Sequence, residues 1–243
     1  MTGAGWQRLG PDPQIAAWAR AALPVARAVI AGSAEPWRCG GTWFVGVDTL
    51  PNAPDGAIGG VAFPWCALPL APVPLHCAQL SVIRPGYPQP SADETPAAFA
   101  FRQHRDAAHL DGLLATDPDR RRKVREPHGW ILGLPLTTIR AAPLVVWDGS
   151  HRIMAQALQD ALRPHPPDLW GDFDLTEAYQ TARAQVFATC RRIELPAAAG
   201  QATVLHRLTI HGVAPWHGAD QGDRIIAYFR PMLASVADWL MDP

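Results

Sequence analysis

Closely spaced cysteines are missing from this 243-residue sequence. Its four cysteines are scattered and form no Cys-x-x-Cys pair: Cys39, Cys66, Cys77 and Cys190. A zinc knuckle needs such pairs, so this class is disfavoured. Free thiols in a reducing compartment are the simplest interpretation, and we expect a cytoplasmic protein.

Charge is also scarce. Charged residues make up 18% of the chain, the net charge is -1 and the pI is about 6.7, so no basic surface for nucleic acid or an anionic membrane is indicated. The apolar run 15–30 is interrupted by Arg20, Pro24 and Arg27 and is shorter than a typical membrane span. We therefore expect a small-molecule substrate as the partner, with no nucleic acid and no membrane. The sequence does not indicate an oligomeric state.

Proline and glycine are plentiful, with 25 and 20 residues spread along the chain. Many turns between short apolar segments favour a β-fold over a helix bundle. We predict a mainly β barrel or sandwich with flanking helices, in one domain (1–243) with an N-terminal helical or irregular part (about 1–75). Helices are predicted at 15–30, 153–162 and 175–191. The first starts at Asp12-Pro13 and is kinked or divided at Pro24. The main predicted strands are 42–47, 78–83, 128–136, 143–147, 192–195, 202–206, 208–211 and 224–229.

His109-x-Asp111 is the motif with the clearest chemical meaning. In a strand these two side chains would point to the same face, placing an imidazole beside a carboxylate. Two histidines and one carboxylate form the set that holds non-haem Fe(II) with open positions. His104-x-Asp106 has the same spacing, but its middle residue lies in a charged, solvated run, so we prefer the pair at 109 and 111.

The third ligand must come from a distant segment, and His211 is the best candidate. Arg224 follows it at the start of a predicted strand. A planar guanidinium suits a carboxylate in an apolar cavity, because it offers two parallel hydrogen bonds and stays charged. Alternatively, Arg224 points to the surface and forms a salt bridge there, for instance with Asp223.

Taken in order, these residues resemble the phytanoyl-CoA dioxygenase (PhyH) family. The resemblance rests on His109-x-Asp111, on the turn 148–151 (Asp-Gly-Ser-His), on His211-Gly212 and on Arg224, and it covers roughly 79–230. The chain departs from the family pattern at 141–143 and at Trp216. These departures concern the substrate, and the sequence leaves open whether it is a coenzyme A thioester.

The resemblance implies a double-stranded β-helix, a jelly-roll barrel with iron in its mouth. His109, Asp111 and His211 would be the metal ligands, and Arg224 would bind the distal carboxylate of 2-oxoglutarate. The implied activity is that of an Fe(II)/2-oxoglutarate-dependent dioxygenase, an oxidoreductase that releases succinate and CO2, with ascorbate as reductant in vitro. We expect it to hydroxylate a small, largely apolar metabolite.

Further residues are assigned to the site by their positions. Gln79 and Thr209 are predicted to contact the cosubstrate, and Trp130, Trp216 and Tyr228 are predicted to line the substrate pocket. Two alternatives remain at this point: a non-catalytic jelly-roll protein that binds a metal or ligand, and a cupin-type metalloenzyme without 2-oxoglutarate. The cupin alternative would have to recruit His104 or His206 as an extra ligand.

Overall fold

Antiparallel sheets and flanking helices make up the computed structural model, which describes residues 3–92, 94–116 and 118–241. The strands are β1 (Trp6–Leu9), β2 (Trp43–Leu50), β3 (Ala78–Ile83), β4 (Leu113–Thr116), β5 (Arg121–Val124), β6 (Trp130–Pro135), β7 (Leu144–Trp147), β8 (Arg192–Leu195), β9 (Ala202–His206), β10 (His211–Val213) and β11 (Arg224–Phe229). The helices are α1 (Pro13–Gly32), α2 (Pro96–His104), α3 (Ser150–Leu162), α4 (Thr176–Thr189) and α5 (Val236–Leu240), with 3-10 turns at Trp65–Ala67 and Pro167–Asp172.

The strands form a large sheet, a small sheet and a hairpin. The large sheet has the order β1-β9-β6-β11-β3-β2, the small one the order β10-β7-β8, and β4 pairs with β5. All of these pairs are antiparallel. The prediction of a mainly β protein with flanking helices is confirmed at this level.

Three hydrophobic clusters define the layers of the fold. The outer face of the large sheet packs on α1, through residues such as Trp18, Leu80, Leu132 and Phe229. The two sheets meet through Ile131, Leu144, Val146, Leu195 and Leu205. The outer face of the small sheet packs on α3 and α4, through residues such as Trp147, Leu158 and Val186. Alternation along each strand therefore sends one set of side chains outward to a helix and the next set into the space between the sheets.

Helix α1 begins as predicted. Asp12 is its N-cap and accepts hydrogen bonds from the backbone N–H groups of Gln14 and Ile15, while Pro13 occupies the first turn. The helix continues through Pro24 to Gly32, so the predicted division does not occur. With 20 residues it is long and apolar enough to cross a membrane by length and composition, and its buried residues pack in the core as those of a core helix do.

Local structure near the site differs from the prediction in two places. His109 and Asp111 do not belong to a strand, and His109 makes only an isolated antiparallel bridge with His211. The strand predicted at 208–211 begins instead at His211, because 207–208 form a turn. Strand β1, which pairs with β9, was not predicted.

Candidate metal centre

The backbone itself brings His109 and His211 together, although they are far apart in sequence. The His109 N–H donates to the His211 carbonyl at 2.9 Å, and the His211 N–H donates back at 3.1 Å. Glycines follow His211 and Asp111, at Gly212 and Gly112. A Cβ on Gly212 would lie 2.2 Å from the Asp106 carbonyl oxygen, and one on Gly112 would lie 2.2 Å from that of Glu126. Both approaches require glycine.

The side chains of His109, Asp111 and His211 converge. His109 Nε2 lies 3.3 Å from Asp111 Oδ1, and His211 Nε2 lies 3.7 Å from Asp111 Oδ2. One potential ligand atom from each residue falls within 4.8 Å of the others, and within the described residues this is the group of histidine, cysteine and carboxylate side chains with that property. The structure thus brings together the three residues predicted as metal ligands.

Hydrogen bonds orient both imidazoles with Nε2 toward the centre. His109 Nδ1 lies 3.0 Å from the Ala107 carbonyl oxygen, and His211 Nδ1 lies 2.9 Å from that of Thr209. A carbonyl only accepts, so each Nδ1 carries the proton and donates. In the neutral form of each ring the lone pair is then on Nε2, the nitrogen that faces the centre, as in metal-binding histidines.

The ionisation of the cluster suits a cation. Burial alone would raise the pKa of Asp111, but the positive charges of His211, His109 and Arg230 hold it well below its usual range. Burial lowers the pKa of His211 to about 4. Burial also disfavours charge on His109, but the hydrogen bond and charge of Asp111 outweigh it and raise the His109 pKa. Near neutral pH the cluster therefore offers an anionic carboxylate and a neutral His211.

Arg230 contacts the cluster directly and was not predicted. Its Nη1 donates to Asp111 Oδ2 at 3.0 Å, and its Nη2 donates to Gln79 Oε1. The sequence held one signal for it, since 230 continues the alternation 224, 226, 228 along β11 and beyond its end. Arg230 fixes one oxygen of Asp111 and compensates its charge.

The cluster opens into a small cavity of about 70 Å³. Gln79 and Tyr228, two of the predicted contact residues, line it on neighbouring strands β3 and β11. Further lining comes from Trp43, Ser81, Ile131, Leu144, Gly212, Val213 and Arg230. Beyond the cluster and Arg230, the wall is mainly apolar with a few polar groups, as in most small-molecule sites.

Arg224 is buried between the sheets with part of its guanidinium unpaired. It is 4% exposed and pairs through its backbone with Ile83. Nη1 has no hydrogen-bond partner within the described part of the chain. Asp223, the alternative partner, instead accepts from Arg84 Nε at 3.1 Å. Arg224 shares a strand face with Tyr228, which lines the cavity, so it faces the same interior.

Arg224 is not among the residues that line the cavity, and neither are three other predicted contact residues, Thr209, Trp130 and Trp216. The Thr209 hydroxyl donates to the Gly5 carbonyl at 2.7 Å. Thr209 precedes strand β10, so its side chain does not follow the alternation of that strand. Trp130 lies on the outer face of β6 and packs against the α1 cluster, near Trp65. Trp216 packs in a cluster beside Tyr87, whose carbonyl accepts its backbone N–H at 2.7 Å.

The residues of the alternative motif, His104 and Asp106, have different surroundings. His104 is exposed in the last turn of α2. Asp106 is 2% exposed, and its two carboxylate oxygens accept from Arg192 Nε and Nη2 at 2.7 and 2.8 Å. This bidentate pair fixes the segment leading to His109 onto β8.

Replacing Arg192 by methionine is expected to lower the free energy of unfolding by about 2–3 kcal/mol, because it leaves the Asp106 carboxylate buried and unpaired. This is less than the roughly 3–5 kcal/mol typical of a broken buried pair, because the Arg192 side chain is 39% exposed and water can reach it. Urea unfolding measures it. The matched control is Arg191→Met, whose side chain is 78% exposed, and an equal loss in both variants would contradict the assignment.

His206 lies apart from the cluster. Its ring packs against His151 at a centroid distance of 4.9 Å, and its Nδ1 accepts from the Leu208 N–H at 3.1 Å. Burial, reinforced by the nearby charge of Arg207, lowers the His206 pKa to about 3. His206 is thus a neutral, buried residue, and His151 packs on it.

Acid should destabilise the metal-free protein through His206. Between its unfolded pKa near 6.5 and its folded value, the unfolded chain binds more protons, so stability falls as pH falls through this window. His206→Gln keeps an acceptor and is expected to remove on the order of 2 kcal/mol of the loss between pH 7 and pH 4. Urea unfolding at both pH values checks this against the exposed His217→Gln. An unchanged pH dependence would contradict it.

The fold is shared with solved structures of low sequence identity. The non-heme alpha ketoglutarate dependent carbocyclase SnoK from nogalamycin biosynthesis matches with a TM-score of 0.50 and 14% identity, over 95% of this chain and 80% of that one. The corresponding epimerase, SnoN, matches with a TM-score of 0.52 and 14% identity, over 94% and 78%. The chain has the fold of these two enzymes. No protein-family model and no curated protein sequence matches it.

Proposed function

We propose that this protein is a non-haem Fe(II)- and 2-oxoglutarate-dependent dioxygenase that hydroxylates a small metabolite. The observation that carries the proposal is the convergence of His109, Asp111 and His211 at one end of a cavity. Two imidazoles and one carboxylate are the donor set of non-haem Fe(II) oxygenases. The shared fold with SnoK and SnoN supports the same class.

The residues present fit a divalent metal. Both histidines direct Nε2 toward the centre, and Asp111 is ionised. When bound, iron with 2-oxoglutarate would supply O2 activation, placing one oxygen atom in a substrate C–H bond and the other in succinate, with release of CO2. Arg230 would hold the Asp111 carboxylate in its orientation, as outer partners of metal ligands do.

Arg224 supports 2-oxoglutarate as the cosubstrate. A guanidinium 4% exposed, with one terminal nitrogen unpaired, favours a buried anion as its partner. In the proposed site Arg224 would receive the distal carboxylate, while Gln79 and Tyr228 line the space beside it. We leave Thr209 out of this site because its hydroxyl is engaged by Gly5.

The finer assignments belong to the same proposal. We infer that the large and small sheets are the two halves of a double-stranded β-helix, with the site between them, in one domain. Membership of the phytanoyl-CoA dioxygenase family and a cytoplasmic location remain predictions from the sequence.

Succinate release tests the proposal. Purified protein with Fe(II), ascorbate and 2-oxoglutarate is expected to produce succinate, and Asp111→Ala and Arg224→Leu are expected to abolish production. His104→Ala, at an exposed position in the alternative motif, is the matched control and should keep it. Equal turnover in all variants would overturn the proposal, and metal binding without consumption of 2-oxoglutarate would favour a non-catalytic binding protein or a cupin-type enzyme.

A further inference from the structure

A second cavity shares Arg230 with the cavity at the metal cluster. Its volume is about 310 Å³, at the lower end of the range for small-molecule sites. Arg230 is part of the wall of both cavities. The remaining wall of this outer cavity consists of Val47, Asp48, His76, Glu126, His128 and Met232.

The outer cavity joins segments that are distant in sequence. Asp48 comes from β2, Glu126 and His128 from the segment before β6, and Arg230 from the end of β11. The cavity is therefore a product of the fold. Its position next to Arg230, which holds Asp111, places it beside the proposed reaction site.

His128 indicates that this cavity receives a ligand. Its side chain is 6% exposed, and neither ring nitrogen makes a well-aligned hydrogen bond within the described residues, although the Arg230 backbone lies close to the ring. Its nearest charged neighbour is Glu126, with Oε2 3.3 Å from His128 Nε2. Buried polar groups are normally satisfied, so a group of this kind in a cavity wall favours a polar partner from outside the chain.

Asp48 is aimed by an irregularity of β2. The register between β2 and β3 shifts between Gly46 and Leu50, and Asp48 adopts a left-handed φ of 52°. Bulges of this type turn a side chain away from its regular direction. The Asp48 carboxylate lies 2.8 Å from His76 Nδ1 and remains 60% exposed, so it can still accept from a ligand.

The charges around the outer cavity favour a cation. Its ionisable lining is Asp48, His76, Glu126, His128 and Arg230. Arg230 Nη1 donates to Asp111, whose carboxylate pairs with its charge, and Nη2 donates to Gln79, while Nε makes no hydrogen bond within the described residues. The Asp48 and Glu126 carboxylates are 60% and 46% exposed and are not matched by a second guanidinium or an ammonium in the wall.

We propose that the outer cavity receives the primary substrate and that this substrate carries a protonated amine. Asp48 and Glu126 bind the ammonium group, and His128 hydrogen-bonds to a polar atom of the same molecule. That the molecule is then oxidised rests on the proposed function; that the cavity selects an amine does not. This inference replaces the expectation of a largely apolar substrate.

Three matched four-carbon probes test the selection: butylammonium, butan-1-ol and butanoate. Saturation-transfer NMR on the metal-free protein is expected to detect butylammonium at least about tenfold more strongly than the other two, in line with a paired charge in a partly buried site. The double variant Asp48→Asn/Glu126→Gln should lose this signal. The control Glu35→Gln/Asp119→Asn removes two exposed carboxylates elsewhere and should keep it.

Each contrary result is decisive. Equal signals from the three probes, no signal from butylammonium, or an equal loss in the control variant would overturn the inference. Because the measurement needs neither metal nor 2-oxoglutarate, it is independent of the proposed function. The visible charge-transfer band that 2-oxoglutarate produces on Fe(II) is recorded separately, so failure of the metal site and failure of the amine site are distinguishable.

Discussion

Replacing Asp111 by alanine is expected to lower the Fe(II) affinity of the protein by more than about a hundredfold. Loss of an outer partner of a metal ligand typically costs 10- to 100-fold, so loss of the ligand itself should exceed that range. The variant also leaves the Arg230 guanidinium without the carboxylate that it contacts at 3.0 Å. An uncompensated positive charge beside two imidazoles opposes a second cation.

Anaerobic competition with a chromophoric chelator measures this affinity. His104→Ala is the matched control, because His104 belongs to the alternative motif and is exposed at the end of α2. Its affinity should equal that of the unaltered protein. Comparable Fe(II) affinity for the Asp111→Ala variant would show that the metal binds elsewhere.

Replacing Arg224 by leucine is expected to weaken 2-oxoglutarate binding by at least about thirtyfold while Fe(II) binding is kept. Removing one partner of a buried charge pair costs about 2–5 kcal/mol, and the lower figure corresponds to this factor. This range applies to Arg224 because its side chain is buried, at 4% exposure, and one terminal nitrogen has no hydrogen-bond partner in the described chain. Leucine preserves apolar packing, so the fold should tolerate the change.

Titration of 2-oxoglutarate into the anaerobic Fe(II) protein, followed by its visible charge-transfer band, measures this affinity. Arg84→Leu is the control, since Arg84 follows β3 next to Arg224 and bonds to Asp223, but its side chain is 43% exposed. If the two variants bind 2-oxoglutarate equally well, Arg224 does not hold the cosubstrate.

For two strands beside the cavity, the alternation of side chains along the sequence predicted the structure correctly. Strands β3 and β11 have the predicted bounds, and their inward positions Gln79 and Tyr228 line the cavity. Thr209 does not line the cavity. The alternation of β10 was extended back past the start of that strand, where it no longer holds. Trp130 lies on strand β6, but the alternation of side chains along a strand does not show which of its two faces points to the cavity.

The metal cluster was found from chemistry and chain order, although its local structure was wrong. His109 and Asp111 converge because of a backbone bridge to His211, without the predicted strand. Gly212 permits a close approach to the segment before His109, and Gly112 permits a close approach to Glu126, and only the folded structure shows these contacts. Their positions directly after two ligands were visible in the sequence.

The outer cavity could not have been predicted from the sequence. Asp48, Glu126 and His128 lie in segments without a motif, and their meeting depends on a bulge in β2 and on the order of strands in the large sheet. Arg230 links the two cavities from a position just past the end of β11. Contacts of this kind come from long-range pairing, which local patterns do not specify.

A crystal structure determined anaerobically with Fe(II) and 2-oxoglutarate tests the central claim most directly. The account predicts one iron bound by His109 Nε2, an Asp111 oxygen and His211 Nε2, with the distal carboxylate of 2-oxoglutarate on Arg224. Iron bound at any other set of side chains, or an Arg224 guanidinium without an anion while 2-oxoglutarate lies elsewhere, would contradict it.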